Sequence, residues 1–131
     1  MPDYLLDTNI LIYQLRGNQK INQLLFDLNQ QAHLTISAIA RTEILAGMRP
    51  NEEEPTLALL NSLVTLPLDS AVADRAGRLI YQYGRQGLQL TIADALIGAT
   101  ALEHRLILVT TNAKHFPMPE LQLHLVKQSE L

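Results

Sequence analysis

The side chains of this sequence that are best suited to chemistry are three carboxylates and one amide, each beside a predicted strand or on a predicted helix. They are Asp7 in YLLDTNI, Glu43 in ARTEILAG, Asp94 in TIADALIGA and Asn112 in LVTTNAKHF. Their oxygens are the hard ligands that Mg²⁺ and Mn²⁺ prefer, and the chain has no cysteine that would favour zinc. A divalent ion held this way activates water and neutralises phosphate charge. The set therefore predicts hydrolysis of a phosphodiester bond.

Two of the carboxylates lie in apolar helical segments. Asp94 belongs to the run IADALIGA, and Glu43 directly precedes Ile-Leu-Ala. An ionised carboxylate that is buried without a partner is costly, so these positions favour a cation held between the two acids. Each acid taken alone has another interpretation, because an acid after a strand is often a helix cap or a solvated surface group. Asp7 in particular is compatible with a cap.

Strand-like and helix-like segments alternate along the chain. The predicted strands are residues 3–6, 34–36, 64–67, 106–109 and 123–126. The predicted helices are residues 8–15, 18–31, 37–48, 56–63, 69–85 and 91–104. The polar segment 48–55, with its three consecutive glutamates, is predicted to be a loop. This alternation predicts an α/β fold with a mostly parallel central sheet of four to five strands and helices on both faces.

In such a sheet the carboxyl ends of all parallel strands share one edge, and ligands bind there. Asp7 ends the first predicted strand and Asn112 follows the fourth. Glu43 and Asp94 lie one or two turns inside helices that begin near the same edge. We therefore expect the four side chains to converge at that edge.

The length and composition indicate a single domain without disulfides or membrane-spanning segments. A chain of 131 residues, 47% of them hydrophobic, suits one domain over residues 1–131. The absence of cysteine excludes disulfides and thiolate chemistry and suits the cytoplasm. The first residues lack the basic segment of a signal peptide, and no charge-free apolar run approaches the roughly 20 residues that cross a bilayer. We expect a cytoplasmic protein that makes no membrane contact.

The net charge of −3 does not exclude a nucleic-acid partner. Phosphate contacts need lysine and arginine, but the three candidate ligand acids account for the whole excess of negative charge. A local basic rim would then be sufficient to bind phosphate. The candidate phosphate contacts are Arg16, Lys20, Arg41, Arg49, Arg85 and Lys114.

Three segments together, YLLDTNILIY, SAIARTEILAG and TIADALIGATALEHRLILVTTNAKHF, resemble the PIN domain, and within that superfamily the VapC-type toxins of bacterial toxin–antitoxin pairs. The resemblance extends over essentially the whole chain. It implies a Mg²⁺- or Mn²⁺-dependent endoribonuclease that is usually a homodimer and is blocked by a cognate antitoxin protein. The metal-binding and catalytic residues that it implies are Asp7, Glu43, Asp94 and Asn112.

The sequence departs from the family pattern at two positions. Asn112 stands where many PIN domains have aspartate, and His115, three residues further on, stands where the residue is sometimes acidic. Whether one or two ions are bound therefore stays open, as does the role of His115. Of the nearby hydroxyls, Thr110 and Thr111 are expected to shape the turn by hydrogen bonding, and Thr8 either caps the helix or contacts a water on the ion.

The resemblance also implies a surface for the antitoxin. Predicted helix 18–31 carries a leucine stripe, and later helices add Ile39, Ile44, Leu45 and Leu57. These residues either pack in the core or leave an apolar groove beside the acidic site, where an antitoxin could place a basic side chain over the carboxylates.

Two other functions stay open. A phosphatase of the haloacid-dehalogenase type would use Asp7 as a covalent nucleophile, but it requires a second aspartate two residues later, where this chain has Asn9. A catalytically silent PIN fold would serve as a binding module, and the intact acids argue against it. Transfer, ribosomal and messenger RNA all remain possible substrates.

Overall fold

A computed structural model describes residues 3–131 and contains one five-stranded sheet. Its strands are β1 (Tyr4–Leu6), β2 (Leu34–Ser37), β3 (Val64–Leu66), β4 (Ile107–Thr110) and β5 (Leu123–Leu125). They lie in the order β3-β2-β1-β4-β5, and every neighbouring pair is parallel. The α/β prediction is confirmed. Within these residues, no helix is long and apolar enough to cross a membrane.

The helices begin where side-chain caps predicted them. They are α1 (Thr8–Leu15), α2 (Gln19–Asn29), α3 (Ala38–Ala46), α4 (Glu53–Asn61), α5 (Ser70–Arg85) and α6 (Ile92–His104). In all of them except α4, the residue before the helix accepts a hydrogen bond from a backbone N–H of the first turn. Such caps satisfy amide groups that have no partner within the helix.

The prediction that residues 48–55 form a loop was wrong for residues 53–55. Helix α4 begins at Glu53 rather than at residue 56. Glu53 and Glu54 occupy its first turn, where negative charge is favoured by the helix dipole. Pro55 also lies in that turn, where its missing N–H would have had no partner inside the helix. The glutamate run, which suggested a solvated loop, thus stabilises the first turn of a helix. The other bounds differ from the predicted ones by one or two residues.

The sheet separates two hydrophobic cores. Leu5 and Leu108 pack with residues of α5 and α6, whereas the next residues, Leu6 and Val109, pack with α1, α2, α3 and α4. Successive side chains of a strand point to opposite faces, so this division confirms that helices cover both faces. The parallel strands bring the ends of β1 and β4 to the same edge.

Candidate active site

Asp7 is the buried centre of the candidate site. It ends β1 and caps α1, and it is only 6% exposed. Its Oδ1 accepts a hydrogen bond from the Thr8 N–H at 2.8 Å, and its Oδ2 accepts one from Thr110 Oγ1 at 2.7 Å. The cap interpretation therefore holds for this residue, and its place in a metal site stays a prediction. Each carboxylate oxygen accepts one hydrogen bond and keeps a further lone pair.

Glu43 and Asp94 lie on the flanking helices α3 and α6. Glu43 Oε1 accepts a hydrogen bond from Thr8 Oγ1 at 2.7 Å. Asp94 Oδ2 lies 3.3 Å from His115 Nδ1. Their apolar neighbours in the sequence suggested that both acids would be buried. That expectation was wrong for Glu43, which is exposed, and only partly correct for Asp94, which is partly buried. The buried faces of their helices are formed instead by neighbours such as Ala40 and Ala95.

The pKa of Asp7 is raised above its ordinary value of 3.8. Burial is the largest cause, because it disfavours the charged form. The hydrogen bonds from Thr110 and Thr8 oppose the shift, and the negative charges of Asp94 and Glu43 add to it. Glu43 and Asp94 thus lie near enough to Asp7 for their charges to disfavour its ionised form, which a nearby cation would stabilise.

The donor set matches a hard divalent cation by its chemistry. Among residues 3–131, no lysine or arginine forms an ion pair with any of the three acids, and the imidazole of His115 contacts Asp94. Within the same part of the chain, no three acidic or histidine side chains already stand in the arrangement that would hold a metal. Glu43 is turned to Thr8 and Asp94 to His115, so side-chain rotation must accompany ion binding.

Thr110 connects Asp7 to Asn112. It is fully buried at the end of β4, and its Oγ1 both donates to Asp7 Oδ2 and accepts from the Asn112 N–H at 3.0 Å. The expectation that Thr110 shapes the turn by hydrogen bonding is confirmed. For Thr111 the same expectation was wrong, because its buried Oγ1 has no hydrogen-bond partner within residues 3–131. Asn112 is followed by the short 3₁₀ turn Ala113–His115, which brings His115 to Asp94.

Replacing Thr110 with valine is expected to reduce the free energy of unfolding by about 2–3 kcal/mol, since it removes a buried hydrogen bond to a carboxylate and leaves the Asn112 N–H unpaired. Urea unfolding of the purified variant measures this. Thr100→Val is the matched control, because Thr100 is equally buried but its hydroxyl only adds a bond to the Leu96 carbonyl of its own helix. Equal losses in both variants would contradict a special role for Thr110.

Some of the predicted phosphate contacts already bind other residues of this chain. Arg41 donates to the Leu60 carbonyl, to Asn61 Oδ1 and to Thr65 Oγ1, so this residue is structural and that prediction was wrong. Arg16 forms an ion pair with Glu52. Lys114 lies beside Asn112 and His115 at the edge of the site.

Lys127 was not among the residues picked out from the sequence. It lines, together with Lys114, a cavity formed by the residues after β4 and the end of β5. No motif marks it. Only the pairing of β5 with β4, which sets Leu125 beside Thr110, carries the C-terminal segment to this edge. Recognition of a last parallel strand at residues 123–126 was the one signal that could have found it.

Comparison with known proteins is consistent with this architecture. The PIN domain profile matches residues 4–118. Ribonuclease VapC10 of Mycobacterium tuberculosis is 35% identical over 116 residues, which cover 88% of this chain and 87% of that protein. Ribonuclease VapC19 of the same organism is 36% identical over 120 residues, which cover 90% of this chain and 96% of that protein.

The fold also matches solved structures. A toxin–antitoxin complex from Klebsiella pneumoniae contains a chain that superposes with a TM-score of 0.79 at 28% sequence identity. The match covers 95% of this chain and 99% of that one. The similarity therefore extends into the C-terminal segment that follows the end of the PIN profile match.

Proposed function

Because this chain belongs to the PIN-domain family, we propose that it is an endoribonuclease that hydrolyses RNA phosphodiester bonds with Mg²⁺ or Mn²⁺. The observation that carries the proposal is the buried carboxylate of Asp7, whose pKa is raised in part by the charges of Glu43 and Asp94 at the carboxyl edge of a parallel sheet. Relatives that are named ribonucleases, at 35% and 36% identity over most of the chain, support it.

The residues that would hold the ion are Asp7, Glu43, Asp94 and Asn112. A bound divalent ion supplies an activated water and neutralises the charge that develops on the phosphate. The chain itself fixes the direction of the Asp7 oxygens through Thr8 and Thr110 and keeps lysine and arginine out of contact with the acids. Asn112 is neutral, so it would hold a second ion only weakly.

We also propose that the enzyme acts in the cytoplasm as the growth-inhibiting toxin of a toxin–antitoxin pair, with a cognate antitoxin protein as its partner. The similarity to a chain of a toxin–antitoxin complex supports this. Ile12 and Leu15, both partly exposed, lie beside Glu43 around a cavity of only about 30 Å³, and they would give the antitoxin apolar surface contacts next to the acids.

A homodimer is part of the same proposal. Three large apolar side chains on α5, the loop after it and the start of α6 are exposed: Tyr81, Leu88 and Ile92. Their burial against a second copy would remove apolar surface from water. Light scattering of the purified chain should give about twice its mass of 14.6 kDa, and a monomer at that mass would count against the dimer.

Expression of this chain alone is expected to arrest growth, and the arrest should be relieved by the small protein encoded next to it. The reason is that uninhibited RNA cleavage removes RNA that the cell needs. Mapping of new RNA 5′ ends after brief induction identifies the substrate. The Asp94→Asn variant, expressed to the same level, is the control and should be harmless. Unimpaired growth with the wild-type chain, in its native host with the neighbouring gene deleted, would contradict the toxin proposal.

A further inference from the structure

A cavity of about 550 Å³ adjoins the carboxylates on the side of β5. It is formed by the residues after β4, the end of β5 and the 3₁₀ turn Gln128–Glu130. His115 lines this cavity and contacts Asp94, and Asn112, which also lines it, is joined to the candidate site by the hydrogen bond from its backbone N–H to Thr110 Oγ1. Its volume falls in the range of roughly 300–1,000 Å³ that is usual for ligand pockets.

The charge of this cavity is opposite to that of the carboxylate cluster. Lys114 and Lys127 line it together with His115, and none of its lining residues, all within the described part of the chain, is acidic. Both lysines are exposed. An ammonium group on a flexible stem is a suitable contact for a phosphate, and it releases counterions when it binds one. A chain with a net charge of −3 thus presents a basic surface next to its acids.

The remaining lining groups suit a polar ligand with one apolar face. Thr111 is 9% exposed, and its Oγ1 is one of two buried hydroxyls that have no hydrogen-bond partner within residues 3–131. A buried hydroxyl without a partner is uncommon and calls for an explanation. A ribose or phosphate oxygen could supply the partner after a rotation of the threonine side chain. Leu125, 45% exposed on the same wall, offers an apolar contact.

We propose that this cavity is the subsite for the RNA backbone next to the bond that is cut, with a phosphate held by Lys114 and Lys127. The inference rests on the proposed endoribonuclease function and adds the direction in which the RNA strand leaves the carboxylates. The shared residues Asn112 and His115 make the cavity continuous with the carboxylate site, so a strand that lies across the acids would enter it. The strand would leave the acidic cluster directly onto positive charge.

The test is RNA binding by variants that cannot cleave. In an Asp94→Asn background, binding of a short fluorescein-labelled oligouridylate is followed by anisotropy over a range of salt concentrations. For single strands, the slope of log affinity against log salt should fall in magnitude by about 0.7 for each phosphate contact that is lost. We expect this change for Lys114→Ala and for Lys127→Ala. Arg78→Ala on α5 removes one exposed positive charge outside the cavity and should leave the slope unchanged.

A second variant tests the part of the cavity lining that carries no charge, at Thr111. Thr111→Val keeps the shape of the side chain and should weaken binding by roughly two- to tenfold, the effect of one hydrogen bond. Thr56→Val removes the other hydroxyl without a partner, outside this cavity, and should not change binding. Thermal unfolding of all variants shows that they are folded.

The outcomes separate the two proposals. If the wild-type chain cleaves RNA but neither lysine variant changes the salt slope, the subsite is overturned and the function stands. If the wild-type chain neither binds nor cleaves RNA, both are overturned. Reduced slopes for both lysine variants, with an unchanged slope for Arg78→Ala, would support the subsite.

Discussion

The Asp94→Asn variant is expected to cleave RNA about a thousandfold more slowly than the wild-type chain while keeping its fold. Asparagine matches aspartate in shape but removes one of the charges that would hold the divalent ion. Loss of about 4 kcal/mol of transition-state stabilisation corresponds to this factor. The fold should persist because the hydrogen bond from the Asp94 backbone N–H to Thr91 Oγ1, which caps α6, does not involve the Asp94 side chain.

The measurement is cleavage of an end-labelled RNA by the purified proteins, with Mg²⁺, with Mn²⁺ and with EDTA. Asp74→Asn is the matched control, since Asp74 is an exposed aspartate on α5 that is not part of the acidic cluster. It should cleave at the wild-type rate. Full activity of Asp94→Asn, or of the wild-type chain in EDTA, would contradict the proposed use of a divalent ion.

Local sequence signals were sufficient to predict the framework of the fold. Side chains that cap helices, such as Asp69 before α5 and Thr91 before α6, act within a few residues of their own position. The apolar spacing of each helix and the strand-forming run before Asn112 are local in the same way. The parallel sheet then follows from the alternation of elements, and it places Asp7 and Asn112 at one edge.

Contacts between distant residues were not predictable from the sequence in the same way. The hydrogen bond from Thr8 to Glu43 joins residues 35 positions apart, and the contact of His115 with Asp94 depends on how the turn after β4 meets α6. Burial was predicted for Glu43 from its apolar neighbours, but a residue beside a buried stripe is not itself within it. The true burial cost falls on Asp7, whose strand is covered on both faces.

Asp7→Asn is expected to make the metal-free protein more stable, although it removes a buried residue that makes two hydrogen bonds. Asparagine Oδ1 can still accept from the Thr8 N–H, and its amide can donate to Thr110 Oγ1, so both contacts can be kept with one reversed. The buried Thr110 O–H then loses its acceptor, a cost that is smaller than the gain expected from removing the charge. What is lost is a charge that is buried and repelled by Asp94 and Glu43. An increase of about 1 kcal/mol would raise the melting temperature of a chain of this size by roughly 3–5 °C.

The pH dependence follows from the raised pKa of Asp7. The native state holds this proton more tightly than the unfolded state, so protonated Asp7 contributes stability below its ordinary pKa of 3.8. That contribution is lost as the pH rises through the raised native value. The stability gained by Asp7→Asn should therefore be largest at neutral pH in EDTA and should shrink as the pH falls toward about 4.

A divalent ion should reverse the order of stability, which separates a metal site from mere crowding of acids. Mn²⁺ well above its Kd stabilises the wild-type chain by an amount that grows with the logarithm of the ratio of concentration to Kd, and the variant, which binds the ion more weakly, gains less. Thermal unfolding in EDTA and in Mn²⁺ measures both effects. Asp69→Asn is the control, because Asp69 also caps a helix, through the Val72 N–H, and asparagine caps about as well. It should change little in either buffer. A less stable Asp7→Asn variant in EDTA at neutral pH would mean that the hydrogen bonds to Asp7 outweigh the repulsion, and the carboxylates would then need no cation to coexist.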